Sequence, residues 1–471
     1  MAKETEIKLR VTPETRDALQ AHPLLAARRQ GDWQSGPLLN QYYDTPERDL
    51  AGARVALRMR RDGDQCIQTL KTRGQSVSGL SERNEWDWYP DSAELDLGLL
   101  DDSCWPQALA DLDKTRLQPI FTTDFNRTKV LLRWERDSAA GPETIEVEAA
   151  LDRGRVLAGD REEGICELEL EIRQGPAVAV LELARELAED LALMPCDISK
   201  AERGYRLFDP ASYDLRLQSP AWTADSTVDE VIAGSIRQLL GQSQRLAEQY
   251  RFAGQWRLFR DMTTHLASLR AGFGVFDLAL PKSSAQEFTR SLDALLERFR
   301  PLVLAGWADD EIGRKARDQA PAVFAAVVDE AGWGQLFIGL ALWLEQGAWQ
   351  LNRPPKGDRI GALALPRWLL ASAAKEIQEL RVPNHNDPDA AVSEWMDQQA
   401  RLGRLYYLLS QFRAFLPVPE PDRLFGELNK LQALLEQYPA VDDEQRPLLL
   451  DALRKQGQRL RKLNAWRELN T

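Results

Sequence analysis

The sequence predicts an α+β chain of two domains, a charge-rich antiparallel sheet or barrel followed by an all-α helical bundle. Three observations carry this. Up to residue 207 the chain breaks into short segments of period two, separated by Gly, Pro and Asp. From Thr223 onward apolar residues recur at spacings of three and four, as at Val228, Val231, Ile232, Ile236, Leu239 and Leu240. Between them, residues 208–222 hold two prolines and no period, the composition of a linker. The expected domains are therefore 1–207 and 223–471, and a chain of 471 residues is too long for one compact core.

The strand segments, in order, are Glu4–Val11, Arg54–Arg61, Cys66–Lys71, Arg83–Trp88, Phe125–Trp134, Thr144–Asp152 and Ile165–Arg173. Helices are expected over Pro13–Leu25 and Pro176–Leu193. The second half is punctuated by Pro281, Pro301, Pro321, Pro354, Pro366, Pro383, Pro417 and Pro439, which divide it into about eight to ten helices.

Composition narrows the function. Net charge is −13, and residues 1–220 hold 29 Lys/Arg against 41 Asp/Glu, so general nucleic-acid binding is not expected. No apolar run approaches the roughly 20 residues of a membrane span, and the acidic start is unlike a signal peptide, so the expected compartment is the cytoplasm. Cys66, Cys104, Cys166 and Cys196 form no Cys-x-x-Cys pair, and the three histidines (His22, His265, His385) form no ligand pattern. A metal site would have to be built from carboxylates, and oxygen ligands point to Mg²⁺ or Mn²⁺.

The carboxylates exist, and they are sorted. Alternate residues of a strand share a face. One face of the first strand holds Glu4, Glu6, Lys8 and Arg10, opposite Thr5, Ile7 and Leu9. Arg54, Arg58 and Arg60 share a face, as do Thr69 and Lys71, Arg83, Glu85 and Asp87, and Arg127 and Lys129. Glu146, Glu148 and Asp152 share another, and Glu167, Glu169 and Glu171 alternate with Cys166, Leu168, Leu170 and Ile172. A single charged face is ordinarily the solvated side of a sheet. Seven strands with faces separated into acidic and basic sets suggest instead a closed sheet with a cation at one wall and an anion of several oxygens at the other. Arg and Lys suit the oxygens of a polyphosphate, a divalent metal offsets charge and activates water, and phosphoryl transfer needs little more than positioning and electrostatics. For Glu146, Arg54 and Arg133 a structural ion pair is the preferred reading.

Glu4-x-Glu6-x-Lys8 resembles the signature of the CYTH family, the triphosphate tunnel metalloenzymes. Tyr42-Tyr43-Asp44-Thr45-Pro46, Leu57-Arg58-Met59-Arg60, Thr69-Leu70-Lys71, Arg83-x-Glu85, Phe125-x-Arg127-x-Lys129, Ala150-Leu151-Asp152-x-Gly154, Glu167-x-Glu169-x-Glu171 and Ser199-Lys200-x-x-Arg203-Gly204-Tyr205 follow in the family's order. The resemblance spans about residues 1–207. It implies an eight-stranded antiparallel tunnel that hydrolyses triphosphates or, in one branch, cyclises ATP. It implies metal ligation by Glu4, Glu6, Glu167 and Glu169, with Asp152, Glu148 and Glu171 as helpers. Phosphate contacts would come from Lys8, Arg58, Arg60, Lys71, Arg83, Arg127, Lys129, Lys200 and Arg203. Glu85 would orient an arginine or the water, and Glu4, Glu6, Lys8, Glu85 and Lys200 would make up the catalytic set.

The helical half stands where a CHAD domain stands in bacterial CYTH–CHAD proteins, which implies binding of long-chain polyphosphate. It departs from that pattern: His265 lacks a dense His/Arg setting, Arg401, Arg404, Tyr406 and Tyr407 lack a companion histidine, and the half carries a net charge near zero. A scaffold or dimerisation module is the alternative. The domain order resembles that of bacterial inorganic triphosphatases, so inorganic triphosphate is the expected substrate. Hydrolysis of thiamine triphosphate or a nucleotide, adenylate cyclisation, and a non-catalytic polyphosphate adaptor stand as alternatives. Trp33, Trp86, Trp88, Trp105 and Trp134 are expected to pack the outer face of the barrel.

Overall fold

The computed structural model describes residues 2–72, 74–77, 79–138, 141–212, 215, 217, 219–383, 388–438 and 444–471. Ten strands form one sheet: β1 (Ala2–Arg10), β2 (Gln34–Asp44), β3 (Ala56–Asp62), β4 (Gln65–Lys71), β5 (Gln75–Val77), β6 (Leu80–Trp88), β7 (Gln118–Ser138), β8 (Gly141–Ala158), β9 (Arg161–Gln174) and β10 (Met194–Pro195). Their order is β10-β1-β9-β8-β7-β2-β3-β4-β6-β5, and β6 also pairs with β1. That last pairing, with Glu4 opposite Arg83 and Glu6 opposite Ser81, closes eight antiparallel strands into the expected barrel. Strands β5 and β10 are short additions to it.

Closure removes exposed edges, and the alternation decides which side chains go where. Ile7, Leu9, Leu57, Leu70, Leu168 and Leu170 are fully buried on the outer side. There Leu57 and Leu70 join Leu50, Val55, Leu100, Trp105 and Leu109 in a hydrophobic cluster, with Trp86 and Trp88 packed against it. The charged residues point inward.

Strand β2 was not among the expected segments. Its buried positions Leu38, Asn40 and Tyr42 alternate correctly, but the inward Asn40 is neutral and Pro37 interrupts the run. The helix expected over Pro13–Leu25 is two, α1 (Pro13–Ala21) and α2 (Pro23–Arg28). His22 is held extended before Pro23, as a residue preceding proline prefers, and its Nδ1 accepts from the Leu24 amide at 3.3 Å. Two further helices serve the barrel's exterior and floor. The four-residue α3 (Asp49–Gly52) follows β2, and α4 (Val178–Leu187) packs on β1 and β9.

Helix α5 (Lys200–Phe208) explains the Ser199–Tyr205 landmark residue by residue. Ser199 caps the helix and exchanges hydrogen bonds with Glu202, a capping box. A Cβ at Gly204 would sit 2.1 Å from the Phe121 ring, so only glycine lets the helix dock on β7. Tyr205 donates its hydroxyl to Asp44 at 2.8 Å. Asp44, fully buried, also accepts the backbone amides of Thr45 (2.7 Å), Leu50 (2.9 Å) and Ala51 (2.9 Å). The Tyr42–Pro46 landmark thus marks the corner that ties β2, α3 and α5 together.

The chain forms two compact units, one holding the barrel and also Val328–Leu342, the other holding Leu217–Val327 and Trp343–Thr471. Within the first unit, Gln335 donates to the Glu189 carbonyl at 3.0 Å, and Trp333 stacks on Phe337. In the helical part, twelve α-helices lie between Val228 and Leu469 among the described residues. This exceeds the expected eight to ten, because Pro355–Gly361, Pro388–Asp397 and Asn464–Leu469 are too short to show a period. No single described helix is long and apolar enough to cross a membrane. Pro439 and His385 lie outside the described residues.

The Asp44 corner yields a stability test. Asp44→Ala strands three amides and a hydroxyl, and should cost about 3 kcal/mol in urea denaturation; Tyr205→Phe, which removes one bond, should cost about 1 kcal/mol. Equal effects, or no loss in Asp44→Ala, would contradict this account of the landmark.

Candidate active site

The barrel encloses a cavity of about 640 Å³ lined mostly by charged side chains. Strand order gathers the sorted faces. Strands β1, β9 and β8 are consecutive and contribute Glu4, Glu6, Glu169, Glu171 and Glu148. The other arc, β7-β2-β3-β4-β6, contributes Lys129, Arg127, Arg60, Arg58, Lys71 and Arg83. Register places Glu6 opposite Glu171, and Glu171 opposite Glu148. Directly paired residues on one face stand about 5 Å apart at Cβ, so these carboxylates form a band across three strands.

The carboxylates divide into two groups by their partners. At the floor, Lys200 from α5 contacts Glu167 and sits 2.7 Å from Asp152 and 2.9 Å from Glu169. Arg127 bonds Asp152 through Nε (2.8 Å) and also contacts Glu169. Arg203, fully buried, holds Glu167 at 2.5 Å, and Arg206 holds Glu163 at 2.8 Å. Burial would raise Glu167 and Glu169, but the cations outweigh it: Arg203 and Lys200 hold Glu167 down at about 2, and Lys200, Arg127 and Lys8 hold Glu169 well below the carboxylate range. Asp152, Glu167 and Glu169 have oxygens within 4.8 Å of one another, close enough for a metal, yet an ammonium and a guanidinium already serve them. Asp152, Glu167 and Arg203 do not line the cavity. They are the floor beneath it.

The second group, Glu4, Glu6, Glu148 and Glu171, faces the cavity, each acid with a lysine or arginine partner. Lys71 holds Glu4 at 2.6 Å and keeps it ionised against its burial. Glu6 contacts Lys8, and Glu148 lies 3.7 Å from Lys129. Glu171 is pushed up to about 7 by burial, and then by Glu4 and Glu6, although Arg173 sits 2.6 Å away. Four carboxylates on contiguous strands facing one cavity are the donor chemistry of a hard divalent cation. These residues fit one.

On the cationic arc, Arg60 bonds the neutral Asn40 at 2.8 Å, and burial followed by repulsion from Arg58 and Arg127 lowers it to about 10. Among the described residues neither Arg60 nor Arg83 has a carboxylate within ion-pair distance, and Nε of Arg58 and of Arg83 is buried without a hydrogen-bond partner. Glu85 stands 3.1 Å from Lys71 and 3.6 Å from Arg58, positioned to orient both.

Sequence reasoning missed Arg173 and Tyr42 among the lining residues. Arg173 continues the alternation of Glu167, Glu169 and Glu171 and was visible there. Arg133 and Glu146 do pair, at 3.7 Å, away from the cavity. Among the described residues no tryptophan lines the cavity. In the helical part, His265 donates Nδ1–H to the Asp261 carbonyl (2.7 Å), while Arg401 (3.3 Å) and Arg404 (2.9 Å) both clasp Glu376.

A closed antiparallel barrel with a carboxylate wall facing a cationic wall defines a charged-tunnel domain. Residues 2–205 match the family model of the CYTH domain, and this segment is a CYTH domain. The segment is similar to the inorganic triphosphatase of Haemophilus influenzae, 32% identical over 207 residues, which is 44% of this chain and 55% of the relative. The chain thus matches about half the length of that curated relative. Among solved structures it is similar to HpAC1 from Hippeastrum, reported with a dominant triphosphatase activity (20% identity, 45% of this chain, 100% of that one, TM-score 0.30). It is also similar to the inorganic triphosphatase NE1496 (17% identity, 36% of this chain, 74% of that one, TM-score 0.14).

The position of Glu171 sets a pH test. Its usual value is 4.5 and its folded value about 7, so between these the folded state binds the extra proton and loses stability as pH rises. In EDTA, Glu171→Gln should therefore gain in Tm over the natural protein between pH 5 and pH 8. A difference independent of pH would show that Glu171 is not pushed up by its surroundings.

Proposed function

We propose that the chain hydrolyses inorganic triphosphate to diphosphate and phosphate inside the barrel, with the aid of Mg²⁺ or Mn²⁺. The observation that carries the reading is the opposition of two walls: Arg60 and Arg83 have no carboxylate within ion-pair distance among the described residues and Nε of Arg58 and of Arg83 is buried without a hydrogen-bond partner, while across the cavity burial, Glu4 and Glu6 push Glu171 up to about 7. A polyphosphate bound to a divalent cation complements both walls at once.

In this reading Arg58, Arg60, Arg83, Arg127 and Lys129 hold the phosphate oxygens, with Arg favoured for two-pronged contacts. Lys71 and Lys8 bridge the walls, since each already touches a carboxylate of the metal band. Glu4, Glu6, Glu148 and Glu171 would hold the cation, which offsets developing charge on phosphate and lowers the pKa of a bound water. Glu85 keeps Lys71 and Arg58 aimed into the cavity. Lys200, surrounded by Asp152, Glu167 and Glu169, fixes the floor and the orientation of Glu169. The small substrate is favoured by the lining, whose aromatic members among the described residues are Tyr42 and Tyr89, with no tryptophan to stack on an organic group.

Phosphate release from inorganic triphosphate, ATP, thiamine triphosphate and long polyphosphate tests the reading. Inorganic triphosphate should show the highest kcat/KM, and activity should vanish in EDTA and return with Mg²⁺ or Mn²⁺. A preference for thiamine triphosphate or ATP, or full turnover in EDTA, would overturn it. Glu6→Ala should lower kcat by about 10²-fold or more, as loss of a group acting on transition-state charge does. Arg60→Ala should chiefly raise KM, by about tenfold.

A further inference from the structure

Arg173 is the cation that the proposed triphosphatase reading leaves without a task. It stands on β9, within the carboxylate arc, and lines the cavity. Its Nη2 lies 3.1 Å from Glu148 Oε1, and its Nη1 lies 2.6 Å from Glu171 Oε1. One guanidinium therefore spans the two carboxylates that face each other across β8 and β9. Those are two of the four acids suited to hold the divalent cation. The acids are mostly covered, with side chains 19% and 20% exposed, whereas the Arg173 side chain is 43% exposed. Arg173 reaches in from open space and has room to leave.

Resting on the proposed function, we infer that Arg173 is a latch that changes partners. It clasps Glu148 and Glu171, and when a divalent cation takes those oxygens it turns to the phosphate end of the bound substrate. Two considerations carry the exchange. Arg173 occupies one oxygen of each acid, so a cation held by both acids competes with it for that space. A guanidinium held against the same oxygens also repels the incoming positive charge, the more strongly because the site is partly desolvated. Released, Arg173 remains tethered beside the substrate, where a planar five-donor group suits phosphate oxygens. Arg173 is thus a positioning residue that couples cation entry to substrate capture. Lys129, 3.7 Å from Glu148, remains to balance that acid during the exchange.

The test separates a latch from an ordinary structural ion pair. Mn²⁺ binding to the full chain is measured by titration calorimetry without triphosphate, for the natural protein, Arg173→Gln and Arg173→Lys; KM for triphosphate is measured in parallel. A latch predicts that Arg173→Gln binds Mn²⁺ about fivefold or more tightly, because a competitor is gone. Its KM for triphosphate should nevertheless rise by about tenfold, because a phosphate contact is lost. Arg173→Lys, which keeps the charge, should stay near the natural Mn²⁺ affinity. Unchanged or weaker Mn²⁺ binding in Arg173→Gln, with the natural protein binding normally, overturns the latch alone. Absence of Mn²⁺ binding to the natural protein overturns the metal-dependent reading itself.

Discussion

Burying charge inside a closed barrel is the constraint on which the rest of this structure depends. A carboxylate or guanidinium removed from water is costly unless it finds a partner, and the cavity wall carries many of each sign. Sorting by strand is how the sequence manages this. Acidic β1, β9 and β8 lie side by side, and the more basic strands complete the circle, so some of the ion pairs join one arc to the other. Lys71 with Glu4, and Arg127 with Asp152, are such seams. The apolar residues, displaced from the interior, build their core on the outside, where Leu57, Leu70 and Trp105 pack under the segment following β6.

Helix α5 divides the acids by function. Lys200, Arg203 and Arg206, spaced by three along the helix, meet Glu169, Glu167 and Glu163 of β9. This neutralises the floor and makes it rigid. Glu171, further along the same strand, pairs with Arg173 instead, yet its burial and the nearby Glu4 and Glu6 push it up to about 7. Proximity alone would place a metal among Asp152, Glu167 and Glu169, but their partners are already protein cations. The cation site in the proposed reading therefore moves toward Glu4, Glu6, Glu148 and Glu171, which line the open cavity.

Much of this was legible in the sequence because strand alternation is rigid. Each charged trio falls on one face, and the faces identified the interior strands. Alternation does not report depth, so Glu167 looked equivalent to Glu169 and Glu171 although it lies beneath the cavity. Neither does it show which cations arrive from a helix: Arg203 reads as a phosphate ligand until its bond to Glu167 is seen. Strand β2 escaped because its inward polar residue, Asn40, carries no charge. The grouping of Val328–Leu342 with the barrel's unit was also invisible, since an apolar helix looks the same whichever core it joins.

In the proposed reading the tunnel's acids fall into a floor set locked to buried cations and a cavity-facing set whose cations give way to a metal. The most direct measurement is anomalous diffraction from crystals grown with Mn²⁺ and a non-hydrolysable triphosphate analogue. The account predicts a manganese peak within ligand distance of Glu4, Glu6, Glu148 or Glu171 oxygens, with the analogue against Arg58 and Arg60. A peak among Asp152, Glu167 and Glu169, with Lys200 displaced, would contradict it.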